Sequence, residues 1–194
     1  MEHRPWLPEE AIEKIENLID RNSWVLEHGS GHSTIWLARQ VDYLISFESD
    51  PGWYTKIGGT LYRERLLDHT RLIYATNVAE KGVYLPKDAP RGAVYDMIFV
   101  DGRGRVKFWQ TAERYLKPGG YVVFDDAERK KYREIIQIIE ETYEDVTKIW
   151  KDKMPKQYLE YPGGPEIADS WEHLEPKFKQ TLPKPYVLIA RKPE

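Results

Sequence analysis

Residues 24–54 read WVLEHGSGHSTIWLARQVDYLISFESDPGWY. The apolar run that opens this stretch ends in Glu27, the turn Gly29-Ser30-Gly31 follows, and a helical segment starts at Ser33. A second apolar run, Tyr43 to Phe47, ends in a second acid, Glu48. Strand, glycine turn, helix, strand, acid is the order by which a parallel sheet holds a nucleotide-type cofactor at its edge. Glycines let the backbone approach a ligand closely, and a helix start offers N–H groups without intrahelical partners. An acid at the end of the second strand can accept hydrogen bonds from both hydroxyls of a ribose.

The same alternation continues on either side. Apolar runs at 71–75, 95–100 and 121–124 read as further strands, and helical segments are expected at 33–40, 53–67, 105–116 and 128–142. Phe108, Trp109, Ala112 and Leu116 share a helical face, as do Tyr132, Ile135, Ile136 and Ile139. Upstream, LPEEAIEKIENLID begins with Pro8 and two acids and then aligns Ile12, Ile15, Leu18 and Ile19. Two prolines and two glycines make 78–94 a loop or a broken helix. Runs at 143–150 and 186–191 read as a last pair of strands. The connector between them, 151–185, is rich in proline and aromatic residues and is expected to be a lid or an insertion. The expectation is an α/β fold, a doubly wound and mostly parallel seven-stranded sheet with helices on both faces, in one domain spanning 1–194.

Composition narrows the class. Of 194 residues, 41% are hydrophobic and 31% charged, as in a globular chain. A net charge of −3 argues against a dedicated nucleic-acid binder. The absence of cysteine excludes disulfides and cysteine-ligated metal centres. Apolar runs are far too short for a membrane span, and the N-terminus carries no signal-peptide pattern, so a cytoplasmic protein is expected.

The glycine turn discriminates between cofactors. A dinucleotide fingerprint wants a third glycine where this chain has Thr34, which counts against NAD. A shorter turn beside an acid suits S-adenosylmethionine, whose ammonium and carboxylate replace a pyrophosphate. Ser33 and Thr34 would then face that carboxylate.

LEHGSGHSTIWLA, SFESDPGWY, YDMIFVDG and LKPGGYVVFDD, in this order, resemble the class I S-adenosylmethionine-dependent methyltransferase family. The resemblance covers about residues 20–150 and again 186–191, and it implies a sheet that ends in an antiparallel hairpin. It also implies cofactor binding by Glu27, Gly29, Gly31 and Ser33, with Glu48 on the ribose and Asp101 near the methionine end.

Asp101, Asp125 and Asp126 fall at the carboxyl ends of two expected strands, where open α/β sheets bind ligands. Three converging acids repel one another unless a cation joins them, so a divalent metal such as Mg is a natural partner. The trio is similar to that of the metal-dependent catechol-type O-methyltransferases, which implies Asp101 and Asp125 as catalytic groups and all three as metal ligands. Two departures stand out. Asp126 replaces an asparagine, and Gly104 stands where that subfamily keeps a catalytic lysine. A plainer role for Asp125 or Asp126 is to cap a helix starting near 128.

His28 is either a base or packs under the turn, and His32 is a base, faces solvent or contacts the cofactor. Arg103, Arg105 and Lys107 form either an anion site or a solvated helix start. Arg129, Lys130, Lys131 and Arg133 read as an exposed face. Trp53 and Tyr54 either wall an adenine or join the core. The function expected is methyl transfer from S-adenosylmethionine to a small-molecule acceptor, most readily at oxygen, with no membrane and no nucleic-acid partner. The alternatives are an NAD-dependent oxidoreductase and a non-catalytic binding module.

Overall fold

The structure, a computed structural model, describes residues 3–151 and 185–194. Seven strands form one sheet: β1 (Trp24–His28), β2 (Tyr43–Glu48), β3 (Thr70–Tyr74), β4 (Tyr95–Val100), β5 (Leu116–Phe124), β6 (Glu144–Trp150) and β7 (Tyr186–Arg191). Their order is β3-β2-β1-β4-β5-β7-β6. β1 to β5 pair in parallel, whereas β7 runs antiparallel to both β5 and β6. Among the described residues six α-helices accompany them: α1 (Glu9–Glu16), α2 (His32–Ala38), α3 (Pro51–Arg63), α4 (Val78–Lys81), α5 (Arg105–Ala112) and α6 (Arg133–Thr142). This is the expected doubly wound sheet with its antiparallel ending.

Strand alternation sorts the core into two layers. Val25, Leu44, Met97, Val123 and Ile189 pack with Ile12, Ile15, Ile35, Leu37, Ile57 and Leu61 of α1, α2 and α3. Their neighbours Leu26, Ile45, Ile98, Val122 and Leu188 pack with Phe108, Trp109, Ile135, Ile136 and Ile139 of α5 and α6. Strand order turns at β1, which lies between β2 and β4, and this switch point opens a crevice beyond the strand ends.

Two boundaries differ from the sequence reading. The segment 78–94 holds one short helix, α4, and otherwise loop. The helix expected from 128 is α-helical only from Arg133, after a 3-10 turn at Lys130–Tyr132. Asp125 and Asp126 therefore lie too far upstream to cap α6. Of the connector 151–185, Lys151 and Pro185 are described, and 152–184, with its expected lid, lies outside the described residues.

Candidate active site

The crevice at the β1/β4 switch point is a cleft of about 400 Å³. Gly29, Gly31, Ser33, Glu48 and Asp101 line it, and Trp6, His32, Trp53 and Arg103 complete its wall. Gly29 has φ +91°, and a Cβ there would sit 2.5 Å from the Gly102 backbone nitrogen. Glycine is thus required by both conformation and space, because the β1 turn packs backbone to backbone against the turn after β4. Gly31 is different. Its backbone is extended, and a Cβ would meet nothing nearer than Ser33 Oγ at 4.0 Å.

Glu48 fixes the turn from the side. Its Oε2 accepts from the Ser30 N–H at 2.9 Å, and its Oε1 accepts from the N–H groups of Ser49 and Asp50, each at 2.7 Å. The carboxylate is thereby oriented while it still borders the cleft.

Glu27 sits beneath the turn rather than in the cleft. It follows Val25 onto the face covered by α1 to α3 and is fully buried. Ser33 Oγ donates to its Oε1 at 2.6 Å, while Thr34 Oγ1 and Ser46 Oγ donate to Oε2 at 2.6 and 2.5 Å. Thr34 Oγ1 also accepts from the Gly31 N–H at 2.9 Å. Burial pushes the Glu27 carboxyl up to about 7, and the three hydroxyls oppose that shift without cancelling it. Glu27 and Thr34 hold the turn's shape. Ser46 stands directly across from Glu27 in the β1–β2 register, and this polar residue inside an apolar strand was the available signal for the network.

His28 projects to the opposite face. It is buried, stacks on Phe108 with centroids 4.2 Å apart, and a Cβ on Gly102 would meet its ring at 2.7 Å. Burial, then the nearby Arg105, drive its pKa down to about 3, so it stays neutral and packs under the turn. His32 lies at the mouth, stacked on Trp6 at 5.8 Å and edge-on to Trp53 at 6.4 Å. His3 Nδ1 approaches His32 Nδ1 at 3.3 Å. Residues 5–7 therefore form one wall of the cleft, which no sequence motif signalled.

Asp101, Asp125 and Asp126 do converge, with oxygens within 4.8 Å of one another. Cations already join them. Lys151, directly after β6, places Nζ 2.7 Å from Asp125 Oδ1 and 2.7 Å from Asp126 Oδ1. Arg105 reaches Asp101 Oδ1 at 2.7 Å and Asp126 Oδ2 at 3.5 Å, and it also donates to the carbonyl of Asp125. Arg129 pairs with Asp126 from the exposed side. Burial raises the Asp126 carboxyl, but Lys151 and Arg105 outweigh it and hold the group below its ordinary value. Asp101 goes the other way, raised well above the usual carboxylate range by desolvation and then by Asp125, against the pull of Arg105. The side chain of Asp101 is 39% exposed, against 5% for Asp125 and 10% for Asp126. Of the three acids, only Asp101 borders the cleft.

A family model described as a methyltransferase domain matches residues 26–127, over half of the chain. The chain belongs to this family. It is an S-adenosylmethionine-dependent methyltransferase, and the nicotinamide reading of the glycine turn is set aside. No curated protein matches the chain. Among solved structures it is similar to an S-adenosylmethionine-dependent O-methyltransferase from Thermotoga maritima, with TM-score 0.63 and 16% identity over 98% of this chain and 68% of that one. It is also similar to a tRNA (m1A58) methyltransferase from Aquifex aeolicus, with TM-score 0.61 and 16% identity over 95% of this chain and 68% of that one. An rRNA methylase from Streptococcus thermophilus gives TM-score 0.58 and 13% identity over 95% of both chains. At these identities the likeness is one of fold.

These likenesses correct one expectation. Net charge argued against a nucleic-acid partner, yet a tRNA (m1A58) methyltransferase and an rRNA methylase share this fold over nearly the whole of this chain. Net charge is a whole-chain sum and carries no information about the surface beside the cleft. No helix among the described residues is long and apolar enough to cross a membrane.

The methyltransferase's acid trio does not fit a divalent metal as it stands. The ammonium of Lys151 lies between Asp125 and Asp126, and the guanidinium of Arg105 occupies the Asp101–Asp126 gap. Asp125 and Asp126 already face three cations, Lys151, Arg105 and Arg129. Gly104 has a related explanation. Its φ is +78°, and a Cβ would lie 2.6 Å from the Ala79 Cα of α4, so no side chain, lysine included, fits there.

Proposed function

We propose that the cleft binds S-adenosylmethionine with its ribose on Glu48 and its methionine end along Gly29, Gly31 and Ser33. The methyl group would face Asp101, and the acceptor atom would be an oxygen presented there. The observation that supports this most is the position of Asp101, a partly exposed carboxylate at the carboxyl end of β4 that borders the cleft and is oriented by Arg105. Methyl transfer is an in-line displacement on the sulfonium carbon, so the protein contributes chiefly alignment and removal of the acceptor's proton. As the oxygen–carbon bond forms, the hydroxyl proton passes to Asp101 and the sulfonium becomes a thioether. A carboxylate with a raised pKa is a better base for that proton than an ordinary one.

The test is transfer of labelled methyl from S-adenosylmethionine to a panel with two arms, small hydroxylated compounds and RNA. Asp101→Asn should keep calorimetric cofactor binding within a few-fold and lose at least about a hundredfold in turnover. Turnover at the wild-type rate in Asp101→Asn would remove the base from the account. Transfer to nitrogen or carbon acceptors alone would remove the oxygen assignment.

A further inference from the structure

We propose that Lys151 is the resident cation of the Asp101–Asp125–Asp126 cluster, its ammonium holding the place that a divalent metal would otherwise take, so that this site works without one. The geometry carries it. Nζ of Lys151 lies within 2.7–2.9 Å of both oxygens of Asp125 and of one oxygen of Asp126, between two of the three carboxylates that would have to coordinate an ion. Lys151 is 7% exposed, and Asp125 and Asp126 are buried with it.

Charge decides between the two cations. A buried carboxylate needs a partner, and here each has one. Adding a divalent ion would bring further positive charge beside Arg105 and Arg129 and would require Lys151 to leave a buried position. A lysine at this place differs from a metal in what it can do. It donates hydrogen bonds and fixes orientation, but it leaves no open coordination position for an acceptor. Lys151 is therefore a positioning residue. It holds Asp126, Asp126 shares Arg105 with Asp101, and Arg105 orients the carboxylate that borders the cleft. The chain of contacts joins the end of β6 to the end of β4 across β5.

The inference does not depend on the identity of the acceptor or on Asp101 being the base, and its test uses neither. The wild-type protein, Asp126→Asn, Lys151→Ala and Lys151→Ala/Asp126→Asn are titrated with Mn2+ alone, with binding followed by the loss of the free-ion electron paramagnetic resonance signal. Wild type should take up no ion at millimolar Mn2+. Lys151→Ala should take up one equivalent, and the double variant should lose it again. Uptake by wild type that Asp126→Asn abolishes would overturn the proposal, and so would a folded Lys151→Ala that takes up none. Should Lys151→Ala fail to fold by circular dichroism, the wild-type protein supplies the second measurement. Acetic anhydride labelling mapped by mass spectrometry should leave Lys151 unmodified while the exposed Lys130 and Lys131 react, and Asp126→Asn should expose Lys151 to the reagent. Labelling of Lys151 in wild type as fast as those surface lysines would contradict its place in the cluster.

Discussion

Two groups of buried carboxylate lie at neighbouring ends of the same sheet, and they are satisfied by opposite chemistry. Beneath the first turn, Glu27 is surrounded by the hydroxyls of Ser33, Thr34 and Ser46. After β5, Asp125 and Asp126 are surrounded by the cations Lys151, Arg105 and Arg129. Neutral donors stabilise a carboxylate without offsetting its charge, so burial wins and the Glu27 carboxyl rises to about 7. Cations offset the charge, so the Asp126 carboxyl falls. The first arrangement tolerates either protonation state and shapes a turn. The second favours the ionised form of Asp126 and ties three strand ends together.

The largest effect should come from breaking the ionic side. Lys151→Met leaves two buried carboxylates short of a cation and should destabilise the fold by about 3–5 kcal/mol, measured as a shift of the urea midpoint at constant slope. Adding Asp126→Asn should recover part of that loss, because it removes one of the stranded charges. Additive losses would mean that the two residues do not share one network.

Next is the backbone approach that the hydroxyl side supports. Gly29→Ala forces a Cβ into the Gly102 backbone at a positive φ, at a cost of about 3 kcal/mol. Gly31→Ala, in an extended and open position, should cost under about 0.5 kcal/mol. Thermal denaturation of both variants side by side checks the contrast.

A third experiment separates the two groups by pH. The Glu27 pKa is raised on folding from 4.5 to about 7, so the native state binds the proton more tightly than the unfolded chain. Its contribution is fully present below pH 4.5 and is lost as pH rises through 7, by at most about 3 kcal/mol. Glu27→Gln should remove that slope. The difference in unfolding free energy between variant and wild type should move in the variant's favour from pH 4.5 to 8. A flat difference curve would show that folding leaves the Glu27 pKa unshifted.

What the sequence disclosed and what it hid follow the same division. The strands, the glycine turn and the last strand pair were legible because apolar runs and glycines are local signals. The connections through Ser46, Arg105 and Lys151 were not. Ser46 joins Glu27 only through the β1–β2 register, and register is not written in either strand alone. Arg105 belonged to a run of basic residues that reads equally well as solvated, yet it is buried because its guanidinium bridges the ends of β4 and β5. Lys151 sits 25 residues beyond Asp126, and only the return of β6 to the sheet brings them together. The acids themselves were visible, and the inference that they need a cation was sound. That the chain carries the cation could only be seen in three dimensions.

Gly31, at an open position of the β1/β4 cleft, tests whether that cleft holds S-adenosylmethionine. Gly31→Leu places a side chain in open cleft space and should leave the melting temperature of the free protein nearly unchanged. Calorimetric titration with S-adenosylmethionine should give one-to-one binding to wild type and none to Gly31→Leu. Equal binding by the two proteins, or no binding by wild type, would contradict the account.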